Sequence, residues 1–188
     1  MEKFYHGTTA RFEEFDLAHV LEGDGKVKFG YGVYVTSQYT TAAHYSYKGA
    51  KVENPVLYVY TVEIPQKKED NYIAFKEAVN EKVLQRTEEK LGIPVPDKFK
   101  TDGKDFRKWL ARHLNGKVDL AGEKAAAEFL ESVGVECIVW PCSWTNPSKG
   151  ENRAILTDSK VKIIQIDEIE LDAKKKLVPG SEKTVWKR

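Results

Sequence analysis

Residues 29–45 read FGYGVYVTSQYTTAAHY, a strand-like run followed by a second aromatic segment. A strand is predicted over residues 32–36, because aromatic and β-branched side chains dominate the run. Tyr34 lies in this strand, and Tyr45 follows it by eleven residues. Taken alone, each tyrosine fits a core position. The Gly30-x-Gly32 pair is a weak turn signal, because it lacks the third glycine of a dinucleotide fingerprint.

Several other short runs have the composition of β-strands and are separated by turn-forming residues. Residues 56–64, VLYVYTVEI, are apolar or aromatic on both faces, which predicts a central strand with little solvent access. The remaining predicted strands lie towards the two ends of the chain, at residues 3–5, 135–140, 153–158 and 161–171.

The stretch from about residue 70 to residue 134 is predicted to be a helical insertion in this β-rich chain. Residues 74–92 place apolar side chains at helical spacing and end at Gly92, which fits the left-handed position that closes a helix. Two further helices are predicted over residues 104–114 and 120–133.

Composition and charge fit a single domain over residues 1–188, which are 41% hydrophobic and 31% charged. Lys+Arg total 30 against 29 for Asp+Glu, and a net charge of +1 marks neither a nucleic-acid nor a membrane binder. No run approaches the ~18 apolar residues that cross a bilayer, and the N-terminus lacks the apolar core of a signal peptide. We therefore expect a cytoplasmic protein that does not associate with membranes.

Two further expectations concern the cysteines and the tail. Cys137 and Cys142 lack the additional Cys and His partners of a zinc site, so no metal is expected. The tail at residues 173–188 is polar and basic, and we expect it to be loosely ordered, with Trp186 as the one residue able to hold it.

Two more motifs are candidates for chemistry. FYHGTT at residues 4–9 is a strand that runs into a turn, where Gly7 permits close approach of a ligand to the backbone. NRAIL at residues 152–156 opens a late strand. His6 at a strand end is, by itself, most often a structural histidine. The joint occurrence of these motifs with GYGVY at residues 30–34 indicates a ligand site.

The sequence resembles the ADP-ribosyltransferase superfamily, on the His-Tyr-Glu branch that includes the poly(ADP-ribose) polymerases and diphtheria-type toxins. The resemblance is carried by HGT at residues 6–8, GYGVY at 30–34 and AHY at 43–45, and it is greatest to bacterial or phage mono-ADP-ribosyltransferases. AAEFLESVGVECIVW at residues 126–140 is similar to the helix and strand that precede the final motif of such members. The resemblance covers residues 4–64 and 122–166. It implies an α+β fold with an ADP-ribosyltransferase-like split β-sheet core and an inserted helical block.

The resemblance also implies roles in binding NAD+ as co-substrate. His6 would hydrogen-bond the adenine-side ribose, and the backbone of Gly7 would pair with the carboxamide of nicotinamide. Thr8 would support the ribose or the carboxamide. Tyr34 and Tyr45 would flank the nicotinamide ring, each with offset stacking of about 0.5–1.5 kcal/mol.

The last motif departs from the family pattern, in which an Asn is followed by Glu or Gln. Arg153 occupies this catalytic position, and a guanidinium cannot stabilise a developing cation. Glu151 lies two residues earlier and points to the same face of a strand, which makes it the best substitute acid. Glu136, Asp158 and Asp24 are weaker candidates.

The leading hypothesis is a mono-ADP-ribosyltransferase of toxin or effector type, which moves ADP-ribose from NAD+ to a macromolecule and releases nicotinamide. A protein acceptor is favoured. A nucleic acid is the runner-up, because four basic residues could form a patch on the inserted helices: Arg107, Lys108, Arg112 and Lys117. An NAD+ glycohydrolase and a catalytically weak module that binds NAD or ADP-ribose stay open. An antitoxin or inhibitor is a possible partner.

Overall fold

The computed structural model of the protein describes residues 1–19, 27–48 and 50–188, so Asp24 lies outside the described residues. Within these ranges the chain forms eight strands and four α-helices, which confirms the α+β class. The strands are β1 (Glu2–Thr8), β2 (Val33–Thr36), β3 (Leu57–Ile64), β4 (Tyr72–Ala74), β5 (Cys137–Pro141), β6 (Glu151–Ile155), β7 (Lys162–Ile169) and β8 (Lys183–Lys187). The α-helices are α1 (Tyr39–Tyr45), α2 (Glu81–Leu91), α3 (Gly103–Asn115) and α4 (Leu120–Ser132).

The described strands form one mixed sheet in the order β4-β5-β6-β2-β1-β3-β7-β8. Only β4 and β5 pair in parallel within these residues, and the other neighbours are antiparallel. β1 pairs with β3 along its whole length, from Glu2 opposite Ile64 to Thr8 opposite Tyr58. It pairs with β2 at a single described position, where Tyr5 lies opposite Thr36. The sheet therefore consists of two four-stranded halves joined at one residue pair.

The central position predicted for β3 is confirmed, because β3 lies between β1 and β7 and five of its eight residues are buried. Val59, Tyr60, Val62 and Ile64 are each 0% exposed. Apolar side chains on both faces of a strand are stable only where both faces are covered, and this accounts for its place inside the sheet.

The side chains of β2 alternate between the two faces of the sheet. Val33 and Val35 pack with Phe4 and Tyr60 on one side, which we call the Val35 face. Tyr34 packs on the other side, the Tyr34 face, against a core formed largely by residues of the helical insertion.

Helix α1 also lies on the Tyr34 face. Thr36 is two residues after Tyr34 and lies opposite Tyr5, so Tyr5 and Gly7 point to the Tyr34 face. Tyr5 packs there in a cluster that contains Ala42 of α1. His6 points to the Val35 face by the same alternation.

The helical insertion differs from the prediction at its start. The helix expected over residues 74–92 begins at Glu81, because residues 72–74 form β4, a strand parallel to β5. The Asn80 side chain accepts a hydrogen bond from the Lys82 amide and so caps the helix. Gly92 closes it in the left-handed conformation, as predicted, with φ 69°. The helices expected over 104–114 and 120–133 agree with α3 and α4 to within one residue.

A buried ion pair ties this insertion to the turn before β2. Arg107 of α3 is 1% exposed and is paired with Glu123 of α4, which is 4% exposed. Arg107 also donates a hydrogen bond to the carbonyl of Lys28 over 3.3 Å. Because Arg107 is buried, it does not belong to the basic surface patch expected on these helices.

The C-terminal tail, expected to be loosely ordered, ends in β8, which pairs with β7 so that Trp186 lies opposite Ile166. Thr184 adds a 2.8 Å hydrogen bond to the carboxylate of Asp167. One edge of β7 pairs with β3, and the backbone groups of its other edge form hydrogen bonds with β8. In the described part of the chain, each helix is too short or too polar to span a lipid bilayer.

Helix α1 rests so closely on β1 that it requires glycine at position 7. A Cβ atom on Gly7 would lie 1.8 Å from the carbonyl oxygen of Ala42. The close backbone approach that the sequence indicates at Gly7 is therefore made by α1.

Gly7→Ala is expected to lower the free energy of unfolding by about 3 kcal/mol or more, because the new methyl group must displace the backbone of α1. The control is Gly92→Ala, which meets open space at φ 69° and should cost only about 1–2 kcal/mol. Urea denaturation measures both values. A Gly7→Ala variant no less stable than the Gly92→Ala variant would contradict the packing of α1 on β1.

Candidate functional site

The most unusual feature of the sheet is a gap between β1 and β2. Beyond the pair of Tyr5 and Thr36, residues 6–8 and residues 33–35 run side by side without ladder pairing to each other. The edge of residues 6–8 that faces away from β3 therefore has no strand partner in the described structure. Backbone groups at such an edge are available to a ligand.

The side chain of His6 crosses this gap. Its Nδ1 lies 2.7 Å from the carbonyl oxygen of Tyr34. A carbonyl only accepts hydrogen bonds, so Nδ1 carries the proton and donates. The ring is packed edge-on against Phe15 at 5.1 Å, with Phe12 and Tyr60 at 6.5 and 6.4 Å.

The protonation of His6 follows from these surroundings. Burial lowers the pKa of the imidazole below its ordinary value of 6.5, and the hydrogen bond to Tyr34 opposes the shift only in part. His6 is therefore neutral at pH 7, and its Nε2 has a free lone pair. Nε2 has no hydrogen-bond partner among the described residues, so it is available to accept a hydrogen bond from a hydroxyl group.

Tyr34 is held rigidly on the other face. Its hydroxyl accepts a hydrogen bond from the Phe29 amide over 3.0 Å and donates one to the Gly30 carbonyl over 2.9 Å. Its ring meets Trp140 edge-on at 5.4 Å. Burial raises the pKa of the phenol to about 12. The hydroxyl thus binds the turn before β2, and the ring packs in an aromatic cluster with Phe29 and Trp140.

This turn depends on glycine at position 30. Gly30 has φ +110°, and a Cβ atom there would lie 2.5 Å from Ile138 and 3.1 Å from Arg107. The buried ion pair of the insertion therefore packs directly beneath the turn that holds Tyr34.

The other residues expected around nicotinamide are less constrained. Tyr45 is 50% exposed, and the Nζ atom of Lys48 lies 4.1 Å from the centre of its ring. The ring contacts described for Tyr34 and for Tyr45 are with different partners, so the stacking pair stays a prediction. Thr8 accepts a hydrogen bond from the Ala10 amide over 3.1 Å, which shapes the turn after β1.

Glu151 and Arg153 come together, but away from Tyr34. Arg153 lies opposite Val35, and Ala154 lies opposite Tyr34, so the side chains of Glu151 and Arg153 are on the Val35 face. The Nε atom of Arg153 donates to Glu151 over 2.7 Å. The two residues share a face, as their spacing predicts, yet it is not the face of the tyrosine with which they were expected to act.

Their charges are already satisfied. Arg153 is 3% exposed and also pairs with Glu2, while Lys67 donates to Glu151 over 2.7 Å. Burial opposes ionisation of Glu151, but hydrogen bonds from Lys67 and Arg153 outweigh it and lower the pKa of the carboxyl group. Two carboxylates thus face two cations, and the network has no surplus negative charge.

The polar residues on the Tyr34 face of β6 and its neighbours were not singled out from the sequence. Asn152 lies opposite Thr36 on this face. The thiol of Cys142 lies 3.4 Å from both Thr36 Oγ1 and Asn152 Oδ1. Asn152 stands in the motif that the sequence highlighted, but only the pairing register with β2 shows that it, and not Arg153, shares the face of Tyr34.

The neutral state of His6 makes stability depend on pH. The unfolded chain binds a proton on His6 near pH 6.5, whereas the folded chain binds it only at lower pH. This contribution to stability is therefore fully present above pH 6.5 and is lost as the pH falls from 6.5 towards the folded pKa.

His6→Asn is the matched variant, because its amide can still donate to the Tyr34 carbonyl but does not titrate. Between pH 7.5 and pH 5.5, urea denaturation should show a larger loss of stability for the wild type than for His6→Asn. Equal losses in the two proteins would show that His6 is not desolvated in the native state.

Comparison with protein-family models, with curated proteins and with solved structures finds no match to this chain. The site is therefore defined by its own geometry: a gap in the sheet, a neutral histidine across it, and a fixed tyrosine ring. Among the described residues, His, Cys, Asp and Glu form no cluster of three suited to a metal ion.

Proposed function

We propose that this domain binds NAD+ at the gap between β1 and β2 and acts as a mono-ADP-ribosyltransferase of toxin or effector type in the cytoplasm. It would move ADP-ribose to a macromolecular acceptor, with a protein favoured, and release nicotinamide. The observation that carries the proposal is the His6 ring, whose Nδ1 is fixed 2.7 Å from the Tyr34 carbonyl and whose Nε2 is left as a hydrogen-bond acceptor. In the described structure the two halves of the sheet are joined at the single pair of Tyr5 and Thr36, and this supports an ADP-ribosyltransferase-like split core.

NAD+ offers groups that complement this site. A ribose hydroxyl can donate to His6 Nε2, and the carboxamide can pair with backbone groups at the open edge of residues 6–8. The Tyr34 ring lies on the opposite face of the sheet from His6, so the dinucleotide would pass through the gap between β1 and β2 to bring its pyridine ring onto this ring. Such stacking contributes about 0.5–1.5 kcal/mol. Tyr45 lies on the exposed side of α1 and would cover the solvent side of the nicotinamide ring.

The reaction would break the bond between nicotinamide and the ribose carbon. The bonding electron pair goes to the pyridine nitrogen, so nicotinamide leaves as a neutral molecule and the ribose becomes oxocarbenium-like. A nucleophile of the acceptor then bonds to that carbon and gives up its proton. Such a transition state is stabilised by nearby negative charge. Glu151 is the ionised carboxylate closest in sequence to the family's catalytic position.

A specific observation favours a second candidate function, an NAD- or ADP-ribose-binding module with little chemistry. Glu151 is shared between Lys67 and Arg153 on the Val35 face. The polar residue of β6 on the Tyr34 face is Asn152, which carries no charge. A site with an uncharged hydrogen-bond acceptor at this position would bind the dinucleotide but stabilise a developing cation poorly.

One experiment separates these functions. Purified protein is incubated with NAD+, with and without cell lysate, and released nicotinamide is measured alongside the affinity for NAD+ by calorimetry. Release only with lysate indicates transfer, and release without lysate indicates NAD+ hydrolysis. Binding without release identifies the module, and absence of binding contradicts the proposal.

Tyr34→Ala should weaken NAD+ binding by about two- to tenfold, since it removes a ring whose stacking contributes about 0.5–1.5 kcal/mol. Tyr34→Phe is the matched control, because it keeps the ring and loses only the hydroxyl that binds the turn, so it should bind NAD+ much as the wild type does.

Glu151→Gln should reduce turnover with little change in affinity for NAD+. Unchanged affinity in Tyr34→Ala would remove the ring from the site, and an unchanged rate in Glu151→Gln would remove that carboxylate from the mechanism.

A further inference from the structure

Beside the proposed site lies a surface where two aromatic rings lie close to a group of four lysines. It is formed by the end of α1, the residues just after it, and the turn that follows β7. We call it the α1-tail surface, and its members are His44, Tyr47, Lys48, Lys174, Lys175 and Lys176.

Direct contacts join the two parts of this surface. The Nδ1 atom of His44 donates to the carbonyl of Lys175 over 3.0 Å, since a carbonyl only accepts. The Nζ atom of Lys175 lies 5.0 Å from the centre of the Tyr47 ring. The rings of His44 and Tyr47 meet edge-on at 5.9 Å. Rings and ammonium groups from distant parts of the sequence are thus held side by side.

The turn that follows β7, which carries Lys174, Lys175 and Lys176, is held by hydrogen bonds to its own backbone amides. One oxygen of Asp172 accepts hydrogen bonds from the amides of Lys174 and Lys176, over 2.8 and 2.9 Å. Lys175 takes the left-handed conformation at φ 59°, and Leu171 bridges to Leu177 across the base of the turn. The turn therefore presents three exposed lysines in one place, and the one carboxylate within it is bonded to backbone amides.

This combination of groups matches single-stranded nucleic acid. Lysines neutralise the phosphates, and exposed rings stack on bases, which all have an aromatic face. The net charge of +1 for the whole chain conceals this local concentration of four lysines. An acidic peptide would use the lysines but has no need of the rings between them. The basic patch expected on α3 is weaker, because Arg107 is buried in its ion pair with Glu123.

We infer that the α1-tail surface binds single-stranded nucleic acid, with its lysines on the phosphates and the Tyr47 and His44 rings against the bases. The surface adjoins Tyr45, whose ring contacts His44 at 5.3 Å. A bound strand would thus lie next to the nicotinamide position, where a nucleic acid would take the place of the protein acceptor favoured above; this placement rests on the proposed function. Binding of the strand does not rest on it, and the experiment below contains no NAD+.

The test is fluorescence anisotropy with a labelled single-stranded oligonucleotide of about 12 nucleotides, a length within the range that one such surface covers. The double variant Lys48→Glu with Lys175→Glu should lose at least about tenfold in affinity, and the slope of log affinity against log salt should fall by about 1.4, or 0.7 for each lost phosphate contact. The matched control is Lys90→Glu with Lys98→Glu. These lysines also lie near rings, 5.9 Å from that of Phe129 and 4.9 Å from that of Phe99, and the charge change is the same.

Tyr47→Leu tests the rings, because leucine keeps apolar bulk but has no aromatic face. It should weaken binding of the oligonucleotide and leave binding of heparin, a polyanion without bases, unchanged. Each variant is first checked for a wild-type melting temperature. The inference is overturned if the wild type does not bind the oligonucleotide. It is equally overturned if the two double-lysine variants lose the same affinity for the oligonucleotide. It is also overturned if Tyr47→Leu binds the oligonucleotide as the wild type does.

Discussion

The hydrogen bond from the His6 ring to the Tyr34 carbonyl holds together two halves of a sheet that share one ladder pair. A continuous ladder between β1 and β2 would use the backbone groups of both strands and leave nothing for a ligand. Here a side chain takes the place of a ladder hydrogen bond. The exchange leaves an edge of β1 without a strand partner and orients the imidazole, while burial of the ring keeps it neutral.

The rest of the fold keeps the two sides of this gap in place. On the β1 side, α1 packs so closely that Ala42 excludes any Cβ at Gly7. On the β2 side, the buried pair of Arg107 and Glu123 supports the turn at Lys28, and that turn binds the hydroxyl of Tyr34. The helical insertion thus stabilises the site from beneath, which gives it a structural role that its sequence did not reveal.

Local signals predicted much of this architecture. β3 was predicted from its two apolar faces, and the end of α2 from Gly92, because both depend on a few neighbouring residues. β4 could not be found in this way, since its three residues become a strand only by pairing with β5, more than sixty positions later. The faces of Asn152 and Arg153 likewise depend on register with β2. The ion pair of Arg153 with Glu2 joins residues 151 positions apart, so no local pattern predicts it.

The candidate site depends on the tautomer in which His6 donates through Nδ1 to Tyr34 and keeps Nε2 as an acceptor. Two-bond nitrogen-proton correlation spectra of nitrogen-15-labelled protein report directly which ring nitrogen carries the proton, and they can be recorded near pH 7.5. We expect a His6 ring in the Nδ1-protonated tautomer. A His6 ring protonated on Nε2, or on both nitrogens, would contradict it.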